Sequence, residues 1–310
     1  MTRPFHPGSF LRHGLMAACL ATLGLQAASA AEPTGTLKKI KDSGQITLGY
    51  RESSVPFSYL DDKAQPVGYS IELCKRIVDG VKKELGLPAL QVKLQPVTSQ
   101  NRIALVSNGT VDMECGSTVN NAERQPIVNF SVTTFVVATR FIGKKADNLK
   151  TLDDLKGKTV VMTTGTNTVK RVRDLNTARS LGLNMLYGKD HADSMLLMTS
   201  GRAVAFFEDD ILLTGMAAVS NTPHDFALST EGYSADPYAI MLPKGDAEFK
   251  KLADGVLTGL FRSGEIKPIY ERWFVQPIPP KNITLNFPMG AALKNVIATP
   301  TDSPDPEAYR

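Results

Sequence analysis

Metal-ligand spacing, long apolar runs and a dominant charge are all missing from this chain of 310 residues. Its three cysteines and four histidines form no Cys-x-x-Cys and no His-x-x-x-His, so no structural or catalytic zinc site is expected, and no other cofactor is implied. The 35 basic side chains nearly match the 31 acidic ones and are interleaved with them. A balance of that kind excludes the basic stripe of a nucleic-acid or membrane-surface binder. No apolar run reaches the roughly eighteen residues that a bilayer-spanning helix requires. There is also no Ser–His pair, no Gly-rich phosphate loop, no internal repeat and no low-complexity tract.

What is present starts at the N-terminus. Arg3 and Arg12 precede the apolar run from Leu15 to Leu25 and the small residues Ala28-Ser29-Ala30, which is the layout of a secretory signal peptide over residues 1–30. Cys19 raises the alternative of a lipid-anchored cysteine, but more apolar sequence follows it, so cleavage after Ala30 is favoured. The remaining roughly 280 residues are expected to be exported and soluble, and that length suggests two domains. Cys74 and Cys115 would then stand where disulfides are permitted, although sequence leaves open whether they join.

Strand-like and helix-like stretches alternate after the leader. Ile46–Gly49, Leu90–Leu94 and Val111–Met113 read as strands; Ile71–Leu85 and Asn101–Asn108 read as helices. In the first helix Ser70 is the expected N-cap, and Cys74, Ile77, Val78, Val81 and Leu85 fall on one core-facing side. A second series follows, with strands at 159–162, 184–187 and 203–207, a helix through the 170s and another over 194–200. Such alternation predicts a mostly parallel sheet between helices, twice over. The extended stretches Phe135–Ile142 and Tyr238–Pro243 are expected to cross between the two units and to form a hinge. The helix Phe249–Arg262 then returns to the first lobe, making it discontinuous. The expected boundaries are 31–136 with 239–290 for lobe 1, 137–238 for lobe 2, and a tail over 291–310. From Gln276 onward prolines are frequent, so this end should wrap the surface or trail away.

In open α/β sheets ligands sit beyond the carboxyl ends of strands. The residues just after each predicted strand have a marked sign: Arg51, then Ser99 and Arg102, then Ser117, Thr118 and Arg124, and in the second series Thr166, Asn167, His191 and Asp209. The stretch Asp112–Arg124 is the most informative, because Gly116-Ser117-Thr118 lets backbone N–H groups approach a ligand while Arg124 offers a planar fork to a carboxylate. Three arginines and a histidine with one acid suit a small molecule with two carboxylates and one ammonium, the charge pattern of an acidic amino acid. Each residue also has a plainer explanation. An arginine can be a solvated surface group, His191 a neutral loop residue, and Thr166, Asn167 and Asp209 helix caps. As a ligand contact, His191 would donate a hydrogen bond to an oxyanion, more strongly when protonated.

The segments Gly49–Tyr59, Gly68-Tyr-Ser, Val97–Arg102, Glu114–Thr118, Asn120–Arg124, Lys189-Asp-His, Ser200–Phe206, Asp209-Asp, Trp273-Phe and Pro277–Asn282 resemble the periplasmic solute-binding proteins of polar amino acid ABC transporters, in particular the glutamate/aspartate branch. The resemblance runs nearly end to end. It implies a type II two-lobed α/β fold, a periplasmic location, a monomer, a membrane permease as partner and no catalysis. It implies further that Arg124 grips the α-carboxylate, Ser117 contacts the α-substituents and Asp209 pairs with the ammonium. Arg51, Ser99, Arg102 and His191 would surround the side-chain carboxylate. Two positions depart from the family pattern, Val119 where a Ser or Thr is usual and Asn167 where the turn normally has a second Thr. The Val119 departure motivates an alternative ligand, a dicarboxylate without an amine. A lyase or dehydratase on the same scaffold would need a general acid or base, for which only Glu52 and Glu114 are near, each more simply a buttress for an arginine.

Overall fold

The computed structural model describes residues 1–5, 8 and 32–309, so the signal-peptide reading of residues 1–30 lies almost wholly outside the described residues. Within the compact unit Pro33–Arg310, the first five-stranded sheet runs in the order Gln91–Pro96, Gln45–Tyr50, Met113–Glu114, Met241–Pro243, Val128–Phe130. A second sheet repeats the plan as Asn184–Gly188, Thr159–Thr163, Ala205–Asp209, Thr139–Lys144, Phe226–Leu228. Each sheet has three parallel strands at one side and an antiparallel strand beside them, Met241–Pro243 in one and Thr139–Lys144 in the other. The sheets are therefore mixed rather than mostly parallel. The antiparallel strand in each is the one that continues directly from a crossing segment, so it enters its sheet from the hinge side.

Both expected crossings are present, and each breaks in two. Phe135–Val137 pairs antiparallel with Asp236–Tyr238 as a separate two-stranded ribbon, and the chain then steps into Thr139–Lys144 on one side and Met241–Pro243 on the other. The helix Ala247–Ser263 packs on Tyr69–Leu85 in the first lobe, which makes that lobe discontinuous. The ribbon is rooted in this lobe by an aromatic cluster. Phe135 lies 5.0 Å from Phe57 and 4.9 Å from Phe274, and Tyr238 lies 5.1 Å from Phe57. Edge-to-face and stacked pairs of this kind contribute about 0.5–1.5 kcal/mol each beyond the area they bury.

Helix Tyr69–Leu85 buries Cys74, Ile77, Val78 and Val81, while Leu85 is only partly covered. Its N-cap is Gly68, not Ser70. The backbone there has φ 132°, and any Cβ would collide with the Phe57 carbonyl, so only glycine fits. Ser70, freed from capping, donates through its hydroxyl to the Gly116 carbonyl at 2.7 Å. Cys74 and Cys115 form a disulfide, with Cα atoms 6.1 Å apart. Both links tie one helix to the loop after strand Met113–Glu114.

The proline-rich end wraps rather than trails, and it contains a helix that the proline count obscured. Ala291–Ala298 packs on Ala247–Ser263 through Leu293 and Val296. Beyond it the Thr301 carbonyl accepts from Thr133 N, and the buried Tyr309 hydroxyl meets Thr133 Oγ1 at 2.8 Å. Among the described residues, no helix is long and apolar enough to cross a membrane.

Candidate ligand-binding site

Register decides which side chains leave the sheets together. Tyr50 pairs with Pro96 and Gly49 with Glu114, so Arg51, the turn Val97–Arg102 and the loop from Cys115 emerge at one end of the first sheet. In the second sheet Thr163 pairs with Gly188 and Met162 with Phe207, which brings out Thr163–Asn167, Lys189–His191 and Glu208–Asp209 at one end as well.

Local turns aim the groups. Thr98 and Asn101 exchange side-chain bonds to each other's backbone N–H at 2.8 and 3.2 Å, forming the turn that presents Ser99 and opens the helix Arg102–Ser107. Asn121 Oδ1 accepts from Arg124 N at 3.0 Å, an Asx turn that holds Arg124. Gly116 is required by packing, since a Cβ there would collide with the Glu114 carboxylate and Arg51 Cγ.

Arg51, Ser99, Arg102, Ser117, Thr118, Arg124, His191 and Asp209 are all buried, and the lobes meet over them. Arg51 Nη2 lies 3.4 Å from His191 Nε2, and Arg124 Nη2 donates to the Gly165 carbonyl at 3.4 Å. At Gly165, with φ 81°, a Cβ would lie 2.6 Å from Gln100 Cα, so the second lobe's turn sits directly on the first lobe's. Arg124 Nη1 also donates to the Val119 carbonyl at 2.8 Å, and Arg102 Nη1 to the Ser117 carbonyl at 3.3 Å. Arg51 Nη1, Arg102 Nε, Ser99 Oγ and Ser117 Oγ have no hydrogen-bond partner within the protein. Buried donors are rarely left so, and they converge on one cleft.

The electrostatics are tightly wound. Burial, then Arg102, pushes Arg51 down to about 10 and Arg124 to about 9, so both stay cationic at neutral pH. Glu114, fully buried, faces Arg102 at 4.0 Å and accepts from the Thr118 hydroxyl at 2.6 Å. It is therefore the buttress expected, and Thr118 braces it with its hydroxyl. Glu52 is exposed. Asp209 sits at the start of helix Asp210–Val219 without capping it by its side chain; instead it accepts from the Tyr238 hydroxyl and, at 3.4 Å, from Thr139. Burial first, then Glu208 and Asp236, holds Asp209 well above the usual carboxylate range, and a neighbouring ammonium would bring it back down.

Three expectations change. His191 is the first residue of helix His191–Thr199 rather than a loop residue, because Asp190 caps that helix through Asp193 N. Toward Arg51 its ring accepts. The Ser194 hydroxyl donates to the Asp190 carbonyl at 2.9 Å and so accepts from Thr163, whose oxygen is left to accept from His191 Nδ1 at 2.9 Å. A guanidinium can only donate, so Nε2 accepts from Arg51. Both ends fix the neutral Nδ1–H tautomer, in keeping with burial, Arg51 and Arg102 depressing the ring well below its ordinary value. Asn167 donates through its side chain to Asp236 at 3.4 Å, the acid that also accepts from Arg171 at 2.9 Å, and the Thr166 hydroxyl donates to the Thr163 carbonyl at 2.9 Å; both are only partly buried. Val119 packs in the apolar core and serves the site through its carbonyl.

Glu208, Thr163 and Tyr238 were not anticipated. Glu208 is buried, accepts from the Thr168 hydroxyl at 3.2 Å and from Asp209 N at 3.3 Å, and places Oε2 3.6 Å from His191 Nδ1. The signal was the acidic run Glu208-Asp-Asp closing an apolar strand. Among the described residues no cluster of His, Cys, Asp and Glu could hold a metal.

Two α/β lobes joined by a paired ribbon and closed over convergent, buried donors define a type II binding protein. The chain belongs to the bacterial extracellular solute-binding proteins, family 3, whose model matches residues 46–276, and so to a family that binds solutes rather than transforming them. It is 50% identical over 93% of its length, and 96% of the relative's, to an L-glutamate/L-aspartate-binding protein of Pseudomonas aeruginosa. It is 45% identical, with the same two coverages, to a glutamate/aspartate import solute-binding protein of Escherichia coli. An ancestral arginine-binding protein solved with arginine superposes with a TM-score of 0.66 at 26% identity, over 74% of this chain and 98% of that one.

Proposed function

We propose that the protein captures an acidic amino acid, glutamate or aspartate, by closing its lobes, and delivers it in the periplasm to the permease of an ABC transporter. The carrying observation is the meeting of three buried arginines, Arg51, Arg102 and Arg124, with the buried acids Glu208 and Asp209 across the cleft. Arg124 is the anchor for the α-carboxylate, Asp209 for the ammonium, and Arg51 with Arg102, Ser99 and His191 for the side-chain carboxylate. The relatives named for glutamate and aspartate support the same reading. On this reading the lobes turn about the ribbon, with boundaries at 136/137 and 238/239. A dicarboxylate without an amine is disfavoured, because it would leave Asp209 without a cation.

Calorimetric titration with glutamate, aspartate, glutamine and glutarate tests this. Glutamate or aspartate should bind far more tightly than glutamine or glutarate. Tight glutarate binding with none for either acidic amino acid would overturn it.

A further inference from the structure

His191 stands between two groups that matter only together. On one side its Nε2 accepts from Arg51 Nη2 at 3.4 Å; on the other its Nδ1 faces Thr163 at 2.9 Å and Glu208 Oε2 at 3.6 Å. That Glu208 oxygen is buried and has no hydrogen-bond partner of its own. In this arrangement Arg51, the proposed reader of the side-chain carboxylate, spends one N–H on a histidine, and the histidine offers the guest no donor. Arrival of a carboxylate beside them changes what is favourable. A negative charge within a few ångströms raises the proton affinity of a neighbouring imidazole, and a carboxylate behind the ring compensates the charge that results.

We propose that His191 and Glu208 form a proton-accepting pair, so that capture of an acidic guest takes up a proton and converts His191 from a hydrogen-bond acceptor for Arg51 into a donor to the guest. The inference rests on the acidic-ligand reading above. One proton from bulk water goes onto the Nε2 lone pair; Nδ1 keeps its hydrogen toward Thr163 and Glu208; Arg51 Nη2, no longer accepted by the ring, turns its N–H to the guest carboxylate. Glu208 is ionised in this state and balances the imidazolium.

The surroundings bear on the sign. Arg51, Arg102 and Arg124 face the pair from the other lobe, Asp209 and Tyr238 lie beside it, and cross-strand Arg140 is engaged by the Ser229 carbonyl at 2.6 Å. Burial outweighs these cations and lifts Glu208 to about 7, so above neutral pH the pair holds no extra proton without a guest. The pair then holds one proton more in the complex than in the free protein, and its contribution to affinity rises as pH falls.

Calorimetry at about pH 8 in two buffers of different ionisation enthalpy gives the protons exchanged per glutamate bound. Asp209 also releases whatever proton it carries on meeting the ammonium, and Glu208 helps to hold that proton, so the count is taken in an Asp209→Asn background, where the difference between Asp209→Asn alone and Asp209→Asn with Glu208→Gln isolates the pair. The single variant should take up about one proton more than the double variant, and its affinity should strengthen by up to about tenfold per unit fall in pH where the double variant's profile is flatter. Ring nitrogen NMR shifts of His191 in the wild-type protein should move on glutamate addition from a neutral Nδ1–H pattern to a doubly protonated one, a readout that does not depend on the variant folding. Equal proton counts, or a ring that stays neutral in the complex, would overturn the pair while leaving the ligand assignment standing. Failure of wild type to bind either acidic amino acid at any pH would instead remove the assignment and the pair with it.

Discussion

The two lobes share a strand order but divide the chemistry. The first contributes Arg51, Arg102 and Arg124 with the buried acid Glu114 beside them; the second contributes Glu208 and Asp209 with a neutral histidine. They differ in their bracing too. The first lobe carries the disulfide and the aromatic cluster around Phe135, whereas the second has the aromatic pair Phe141 with Phe207. On the proposed reading the first lobe holds the groups for the carboxylates, which are the costliest to desolvate and so gain most from being fixed in advance. The second lobe would bring the ammonium partner, which is satisfied only on closure.

The division can be tested from its strongest point downward. Arg124→Ala should weaken glutamate, aspartate and glutamine alike, by about 2–5 kcal/mol, because it strips a buried charge contact common to all of them; calorimetry showing loss for glutamate alone would assign Arg124 to the side chain instead. Replacing Cys74 and Cys115 together by serine should lower unfolding stability by about 2–4 kcal/mol in denaturant titration while leaving affinity within about threefold. An equal loss of affinity would mean that the disulfide shapes the arginine cluster. Asp209→Asn should cost about 1.5–3 kcal/mol for glutamate and nothing for glutarate. Smallest is Lys170→Ala, which removes an exposed 3.8 Å pair with Glu123 across the cleft rim and should change affinity by less than about 1 kcal/mol.

Much of this is legible in the sequence. Strand ends and arginines are readable because Arg51 follows a strand, Arg102 opens a helix and Arg124 stands in the polar turn that Asn121 holds, and a basic residue at such a point is conspicuous against small polar neighbours. The crossings were readable as extended apolar stretches. The disulfide was not, because sequence gives no separation between a helix face and a loop that lie 41 residues apart. Nor was Glu208, since Ala205–Asp209 is buried at every position and alternation then carries no information about which side chain meets the cleft. The partner of Asn167 is hidden for a related reason: it is the first residue of helix Asn167–Ala178 and its side chain reaches Asp236, 69 residues further along the chain. His191 was found by position, but its role depended on a chain of hydroxyls, Thr163 and Ser194, that only folding assembles.

The anchoring of Tyr309 to Thr133 has a practical side. A fluorophore attached beside Tyr309 would hang from the pivot and barely register the opening and shutting of the molecule. Dyes on Glu123 and Lys170, facing each other at the mouth, would swing apart and together with each solute taken in, and make the better optical gauge.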